Sequence, residues 1–308
     1  MDILSRLIDL SRLQPALDIR CRLEGAFHID HEPAARGSAP FHLVLGGNCR
    51  IRTSAGHEVF MRSGDFVLLP RGAAQAIIGT EDGGPVTPFT VTHEGMLPLR
   101  ENAPAETADV DLLCGHFDCA WGSSTLLLDT LPDIFQASLI GAQSEETLKM
   151  LVALLREETS QEQPGARTIV TAMCLALFTM ALRARGATSL GTPGLLPLLA
   201  NPRLVKSVKA VMADPAHGWT IDELADLSAM SRATYARQFK ESAAMTVGTF
   251  LTDLRMMLAS DLLLRTRRTV ADIAAEVGYD SEAAFGKAFK VVKGQTPARF
   301  RQQFPDRS

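Results

Sequence analysis

What the sequence lacks narrows the field before any motif is read. No apolar stretch is long enough to cross a bilayer: MCLALF and MAL around Thr179 together make about half of the ~20 residues a span requires. No membrane role is therefore expected. The first twenty residues, MDILSRLIDLSRLQPALDIR, are interrupted by Asp2, Arg6 and Asp9, so they lack the continuous core of a signal peptide and suit an amphipathic helix. The five cysteines (Cys21, Cys49, Cys114, Cys119, Cys174) are odd in number and scattered. Without a secretory signal, they point to a reduced, cytoplasmic protein rather than a disulfide scaffold.

A surplus of one charge is also missing overall, with a net charge of −4. The balance is uneven along the chain. Residues 1–202 carry 15 Lys+Arg and 23 Asp+Glu, giving −8, while residues 203–308 carry 16 and 12, giving +4. A basic surplus confined to one end is the electrostatic footprint expected of phosphate binding there. At 308 residues and 46% apolar, the chain can bury two separate cores.

Residues 20–128 read as β-rich, with FHLVLGGNCRIRT, DFVLLP, QAIIGT and STLLLDT as short apolar or alternating runs between Gly, Pro and Asp turns. That spacing suggests a sandwich or barrel. From about Ser144 the period becomes helical, in SEETLKMLVALLREETS and in ARTIVTAMCLALFTMALRAR. The second run is apolar on so many sides that it belongs in a core or against another subunit. GATSLGTPGLLPLLANP has the composition of a linker, placed at 191–202 between a domain of 1–190 and one of 203–308.

The last third holds an internal repeat. At an offset of 50 residues, Ser231 matches Ser281, Tyr235 matches Phe285, Arg237 matches Lys287, Phe239 and Lys240 match Phe289 and Lys290, and Phe250 matches Phe300. In the second copy Val270, Ile273, Ala274 and Val277 form one helical face, Gly278 breaks the helix, and Ser281 caps the next. In the first, Thr220 and Glu223 make a capping-box pattern. Each copy has the outline of a helix-turn-helix. A single such hairpin is more often a packing motif than a DNA reader, but two in tandem, joined by a long helix from Thr246 to Leu264 that spans roughly 27 Å, approach the ~34 Å between successive major grooves on one face of DNA.

The segment running from LADLSAMSRATYARQFK through IAAEVGYDSEAAFGKAFK to GQTPARFR resembles the DNA-binding domain of AraC/XylS-type transcriptional regulators. The resemblance implies two helix-turn-helix units, with the second helix of each in the major groove. It places the base-facing positions on Ala233, Ala236 and Arg237 and on Glu282, Ala283 and Lys287. Arg232, Lys240 and Lys290 complete the DNA-facing set. This chain departs from the family pattern at Ala244, where Gly is common, and at Val247, Leu254 and Lys293, all packing positions. Ala233 and Ala236 are too short to hydrogen-bond a base, which leaves Arg237 as the direct reader of its helix.

APFHLVLGGNCRIR, SGDFVLLPRG and DLLCGHF resemble the cupin-like effector domain of one branch of these regulators. The fold class implied is α+β: a cupin-like β-barrel with helices, then an all-α domain. Cupins can hold a metal, which keeps open the alternative of a metal-dependent cupin enzyme fused to a DNA-binding domain. Here Pro40 and Gln75 stand at two usual ligand positions, so neither a cofactor nor a catalytic residue is expected. Cys114, His116 and Cys119 suit zinc chemically, but on a strand only the first two share a face. Phe41, His42, Arg50 and Gln75 are the candidate effector-pocket residues. The resemblance implies a homodimeric activator that binds double-stranded DNA and RNA polymerase and answers to a small-molecule effector.

Overall fold

The computed structural model describes residues 2–79, 88–93, 96–104, 107–119, 126–140, 145–160, 163–188 and 193–302. Two compact units divide them: Gln14–Asp118 with Pro132–Thr188, and Met1–Leu13 with Cys119–Leu131 and Ser189–Ser308.

The first unit is a curled β-sheet. Its strands are β1 (Leu13–Leu23), β2 (His28–His31), β3 (Ser38–Thr53), β4 (Glu58–Arg62), β5 (Asp65–Leu68), β6 (Gln75–Ile78), β7 (Thr90–Thr92), β8 (Leu99–Glu101), β9 (Val110–Cys119) and β10 (Phe135–Ser138). The main path runs β10-β5-β3-β9-β1-β8-β7, with β2, β4 and β6 attached through β3. The sixteen residues of β3 create the curl. Its first half pairs with β5 and β9, and its second half pairs with β4 and β6. The change occurs at a bulge between Val44 and Gly46, followed by Gly47 at φ 73. A Cβ at Gly47 would collide with the Asp109 carbonyl, so glycine is required there both for conformation and for space.

Alternation along β3 sends neighbouring residues to opposite faces. Phe41 joins Phe66, Phe117 and Phe178 in one aromatic cluster, with adjacent ring centroids 4.9 to 6.1 Å apart. Val44, Cys49 and Ile51 join Cys21, Met61, Val67, Ile77, Leu112 and Cys114 in a second core. Phe178 lies on α4 (Ala166–Thr188), which packs on β10 and on α3 (Glu145–Ser160). By length and composition α4 could cross a membrane, contrary to the reading of the sequence as having no such stretch. Its buried stripe of Val170, Cys174, Leu177, Phe178 and Ala181 explains the apolar content as core packing in this unit.

The second unit is all-helical: α1 (Ile3–Ser11), α2 (Leu126–Asp129), α5 (Leu195–Ala200), α6 (Leu204–Ala213), α7 (Ile221–Leu227), α8 (Arg232–Ala243), α9 (Val247–Arg265), α10 (Val270–Glu276), α11 (Glu282–Lys293) and α12 (Pro297–Gln302). Two expectations are corrected here. STLLLDT is not a strand: Leu126–Asp129 is helix α2, and residues 124 and 125 lie outside the described ones. The stretch read as a linker contains α5, whose Leu195, Leu196 and Leu198 are buried, and the Gly194 N–H donates to the Ser242 carbonyl at 2.7 Å. Leucines at that spacing supply a packing face that Gly and Pro content conceals; residues 191 and 192 lie outside the described ones. Helices α1 and α2 pack against α9. Arg12, the C-cap of α1, donates from Nε to Asp261 Oδ1 of α9 at 2.9 Å.

Candidate nucleic-acid interface and signal-receiving cavity

The repeat read from the sequence is a repeat in space. In the first copy the Thr220 side chain accepts from the Glu223 N–H while Glu223 returns a bond to Thr220, and in the second Thr269 and Asp272 do the same. Ser231 and Ser281 accept from the N–H groups of Thr234 and Ala284, starting α8 and α11. Each such cap contributes about 1 kcal/mol. Behind α8, Tyr235, Phe239 and Phe250 stack at 5.9 and 5.7 Å, and behind α11, Phe285, Phe289 and Phe300 stack at 5.6 and 5.3 Å. These buried aromatics fix which face of each helix turns outward.

The outward face carries the expected set. Arg232, Ala233, Arg237 and Lys240 are exposed on α8, as are Glu282, Ala283, Lys287 and Lys290 on α11, while Ala236 is half-buried at the edge. Arg232 pairs with Asp222 at 3.1 Å and Arg237 with Glu241 at 3.3 Å. Exposed pairs of this kind contribute little, on the order of 0 to 1 kcal/mol, so both guanidinium groups can exchange a carboxylate for a phosphate or a guanine edge. Lys240, Lys287 and Lys290 make no ion pair among the described residues. Lys293 differs: it is half-buried, and burial holds its pKa down at about 8, with Asp129 and Asp253 acting in the opposite sense.

The β unit contains a cavity of about 490 Å³, within the usual range for small-molecule sites. His42 and Gln75 line it together with His31, Arg100, Cys114 and His116. Phe41 and Arg50 are elsewhere. Phe41 faces the aromatic cluster, and Arg50 pairs with Glu58 at 3.5 Å and donates to the Gly79 carbonyl at 3.1 Å.

Buried His42 organises the cavity wall. Burial pushes its pKa down to about 3, with His31 adding to the effect, so the ring is neutral. With the Gln75 amide nitrogen donating to Nε2 at 2.9 Å, Nδ1 carries the hydrogen and donates to Cys114 Sγ at 3.1 Å. Cys114 shares its core with Cys21. Cys114 draws the Cys21 pKa down, with burial opposing and Arg100 helping, while Cys21 and burial push the Cys114 pKa up. Cys49, in the same core, is pushed up to about 12 by burial and stays a thiol. Arg100 has no carboxylate within ion-pairing distance among the described residues, and its Nε and Nη1 are buried without partners, as are His31 Nε2 and Gln75 Oε1.

Cys114 and His116 both line the cavity, as strand alternation requires, yet His116 pairs with Asp18 at 2.9 Å rather than turning toward a shared metal. Among the described residues, no group of three or more His, Cys, Asp or Glu side chains could hold a metal ion. The sequence reading missed Cys21, His31 and Arg100. They come from three other strands, and only the pairing of Cys21 with Arg100 across β1 and β8 joins them.

Comparison with known proteins finds two family matches along the chain. Residues 2–185 match the cupin family and residues 224–303 a helix-turn-helix domain. The chain is 30% identical over 302 residues to an HTH-type transcriptional regulator of Haemophilus influenzae, covering 98% of this chain and 99% of that one. It is 28% identical over 304 residues to the RCS-specific HTH-type transcriptional activator RclR of Escherichia coli K12, covering 98% of each. Among solved structures, ToxT from Vibrio cholerae aligns over 96% of this chain and 99% of its own, with 10% identity and a TM-score of 0.39.

Proposed function

This chain belongs to the AraC-like, helix-turn-helix transcriptional regulators that carry a cupin domain, and we propose that it reads DNA with both recognition helices and takes its signal at the Cys21–Cys114 pair. The observation that carries the second half is the hydrogen-bonded chain Gln75–His42–Cys114 in the cavity wall, with Cys21 of the same core paired across β1 and β8 with Arg100, a cation that has no carboxylate within ion-pairing distance among the described residues. A guanidinium beside a thiol favours the thiolate, the reactive form. Cys114 faces the cavity, so the incoming signal is an electrophile or two-electron oxidant small enough to enter.

With a peroxide as the oxidant, the Cys21 thiolate favoured by Arg100 takes the Cys114 proton as the Cys114 sulfur attacks one peroxide oxygen. The O–O bond breaks, hydroxide leaves, and Cys114 becomes a sulfenic acid. The Cys21 sulfur then attacks that sulfur, forming a disulfide and releasing water. The bond ties β1 to β9 and changes the packing of the surrounding core.

The test treats the full chain with hydrogen peroxide, maps peptides for a Cys21–Cys114 crosslink, and measures affinity for a selected operator before and after. A crosslink with altered affinity is expected, both absent in Cys21→Ser and in Cys114→Ser. An unchanged affinity in the crosslinked protein would defeat the oxidant reading. A second reading, reversible occupation of the cavity by a small molecule, is favoured by the unpartnered Gln75 Oε1 and His31 Nε2. A compound that shifts operator affinity equally in wild type and in the double Cys→Ser variant would select it. In either case we propose an activator that works as a cytoplasmic homodimer and engages RNA polymerase; the activator names among its relatives support the direction of regulation alone.

A further inference from the structure

The two recognition helices are held apart by α9, but a helix alone fixes only a distance. Their mutual orientation depends on what joins the units laterally, and one residue touches both turns. Arg255, half-buried near the middle of α9, donates from Nε to the Pro215 carbonyl at 2.8 Å and from Nη2 to the His217 carbonyl at 3.0 Å, with the Ala216 carbonyl 3.4 Å away. These carbonyls lie in the non-helical segment between α6 and α7, where the first helix-turn-helix begins. The same guanidinium lies 5.7 Å from the centre of the Tyr279 ring, in the turn of the second unit. Tyr279 packs edge-on against Phe285, the first core residue of recognition helix α11, at 5.6 Å.

The backbones meet at the same point. A Cβ at Gly278 would come within 2.5 Å of the Ala216 carbonyl oxygen and 2.8 Å of Arg255 Nη2. The approach of the two turns therefore requires a glycine on one side and a forked cation between them. A lysine offers one point charge and cannot span three carbonyls while presenting a flat face to an aromatic ring. The aligned repeat places no arginine of the described residues in a second junction of this kind, so the contact is particular to the interface between the units.

We infer that Arg255 is a positioning residue that sets the relative orientation of α8 and α11, and through it the spacing of the two DNA half-sites the protein accepts. The inference rests on the reading that both helices enter major grooves. Moving one half-site by a base pair shifts it about 3.4 Å along the duplex and rotates it by about a tenth of a turn, so a rigid pair of readers discriminates strongly between spacings. A loosened pair follows the displaced half-site and discriminates weakly.

The experiment uses the full-length protein and an operator selected from random DNA. The separation of its two half-sites is then changed by one and two base pairs in each direction. Wild type is expected to show one sharp optimum, with affinity falling on the order of tenfold per displaced base pair, since simultaneous engagement is lost when geometry forbids it. Arg255→Lys and Arg255→Met should bind less tightly at the optimum and show a flattened profile. Tyr279→Leu, which keeps the carbonyl bonds and removes only the aromatic face, should flatten it partly and guards against loss of folding in the Arg255 variants. A thermal melt accompanies each variant. Affinity lowered by the same factor at every spacing in all three variants, in step with the melting temperature, would mean that Arg255 only stabilises the fold, and would overturn the inference. A wild-type protein indifferent to spacing would instead refute the two-groove reading, and the inference with it.

Discussion

The two helix-turn-helix units share a backbone but differ in the residues that hold it. Where the chain must turn with positive φ, the second unit uses Gly278 and Gly294 and the first uses Ala229 and Ala244, at φ 52 and 59. An alanine in that region costs on the order of 1 kcal/mol, and the first unit tolerates the cost twice. The left-handed conformation is thus imposed by the fold rather than invited by the residue. The two glycines of the second unit are not equivalent, either. Nothing lies within 4 Å of a Cβ built at Gly294, whereas one built at Gly278 meets the Ala216 backbone. Gly294 is there for its conformation, and Gly278 is there for conformation and contact.

The largest effect that would break this comparison is at Gly278. Gly278→Ala should lower stability by about 3 kcal/mol or more, because a backbone collision adds to the conformational cost, and urea titration would measure it. A loss near 1 kcal/mol would show the Ala216 segment yielding freely. Next comes Arg237→Ala, expected to cost about 1 to 3 kcal/mol on the preferred operator and to relax preference at one or two base pairs. Equal weakening on matched and scrambled duplexes would make Arg237 a phosphate contact. Lys287→Ala should weaken all sequences alike and reduce the salt slope of binding by about one ion, because a flexible ammonium beside Glu282 suits phosphate better than a base edge. A sequence-dependent loss in titrations at several salt concentrations would reverse the roles of α8 and α11. The smallest effect is a gain: Ala244→Gly should raise stability by about 0.5 to 1 kcal/mol, and a decrease in melting temperature would show that the methyl group packs usefully.

Much of the helical third was legible because its signals are local. Caps at Thr220, Ser231 and Ser281 and the break at Gly278 depend on residues within a turn of each other, the offset of 50 only repeats them, and the spacer helix expected at Thr246 to Leu264 is Val247–Arg265. The β unit was legible as strands but not as a cavity. His42 and Gln75 could be chosen by position relative to VLGG and PRG, and the structure brings them to 2.9 Å. Phe41 and Arg50 could not be excluded the same way, because their facing depends on how β3 bends at Gly46 and Gly47. Cys21 and Arg100 meet through a parallel pairing between strands 79 positions apart, which periodicity does not encode. α5 was hidden because Gly and Pro around a leucine cluster resemble a linker until its packing partner is known.

The bond between Arg12 and Asp261 links positions 249 residues apart, and the helices it joins belong to one compact unit. A ribosome extends a chain by ~5 to 20 residues per second, so α1 emerges roughly 12 to 50 s before the partner that covers its apolar side. Leu7 and Ile8 stay without α9 for that whole interval, while the β unit is already being made. The helical unit is therefore closed only after the β unit has been made, although its α1 precedes that unit in the chain, and a nascent chain stalled before residue 261 would present α1 as an unfinished surface to chaperones and proteases.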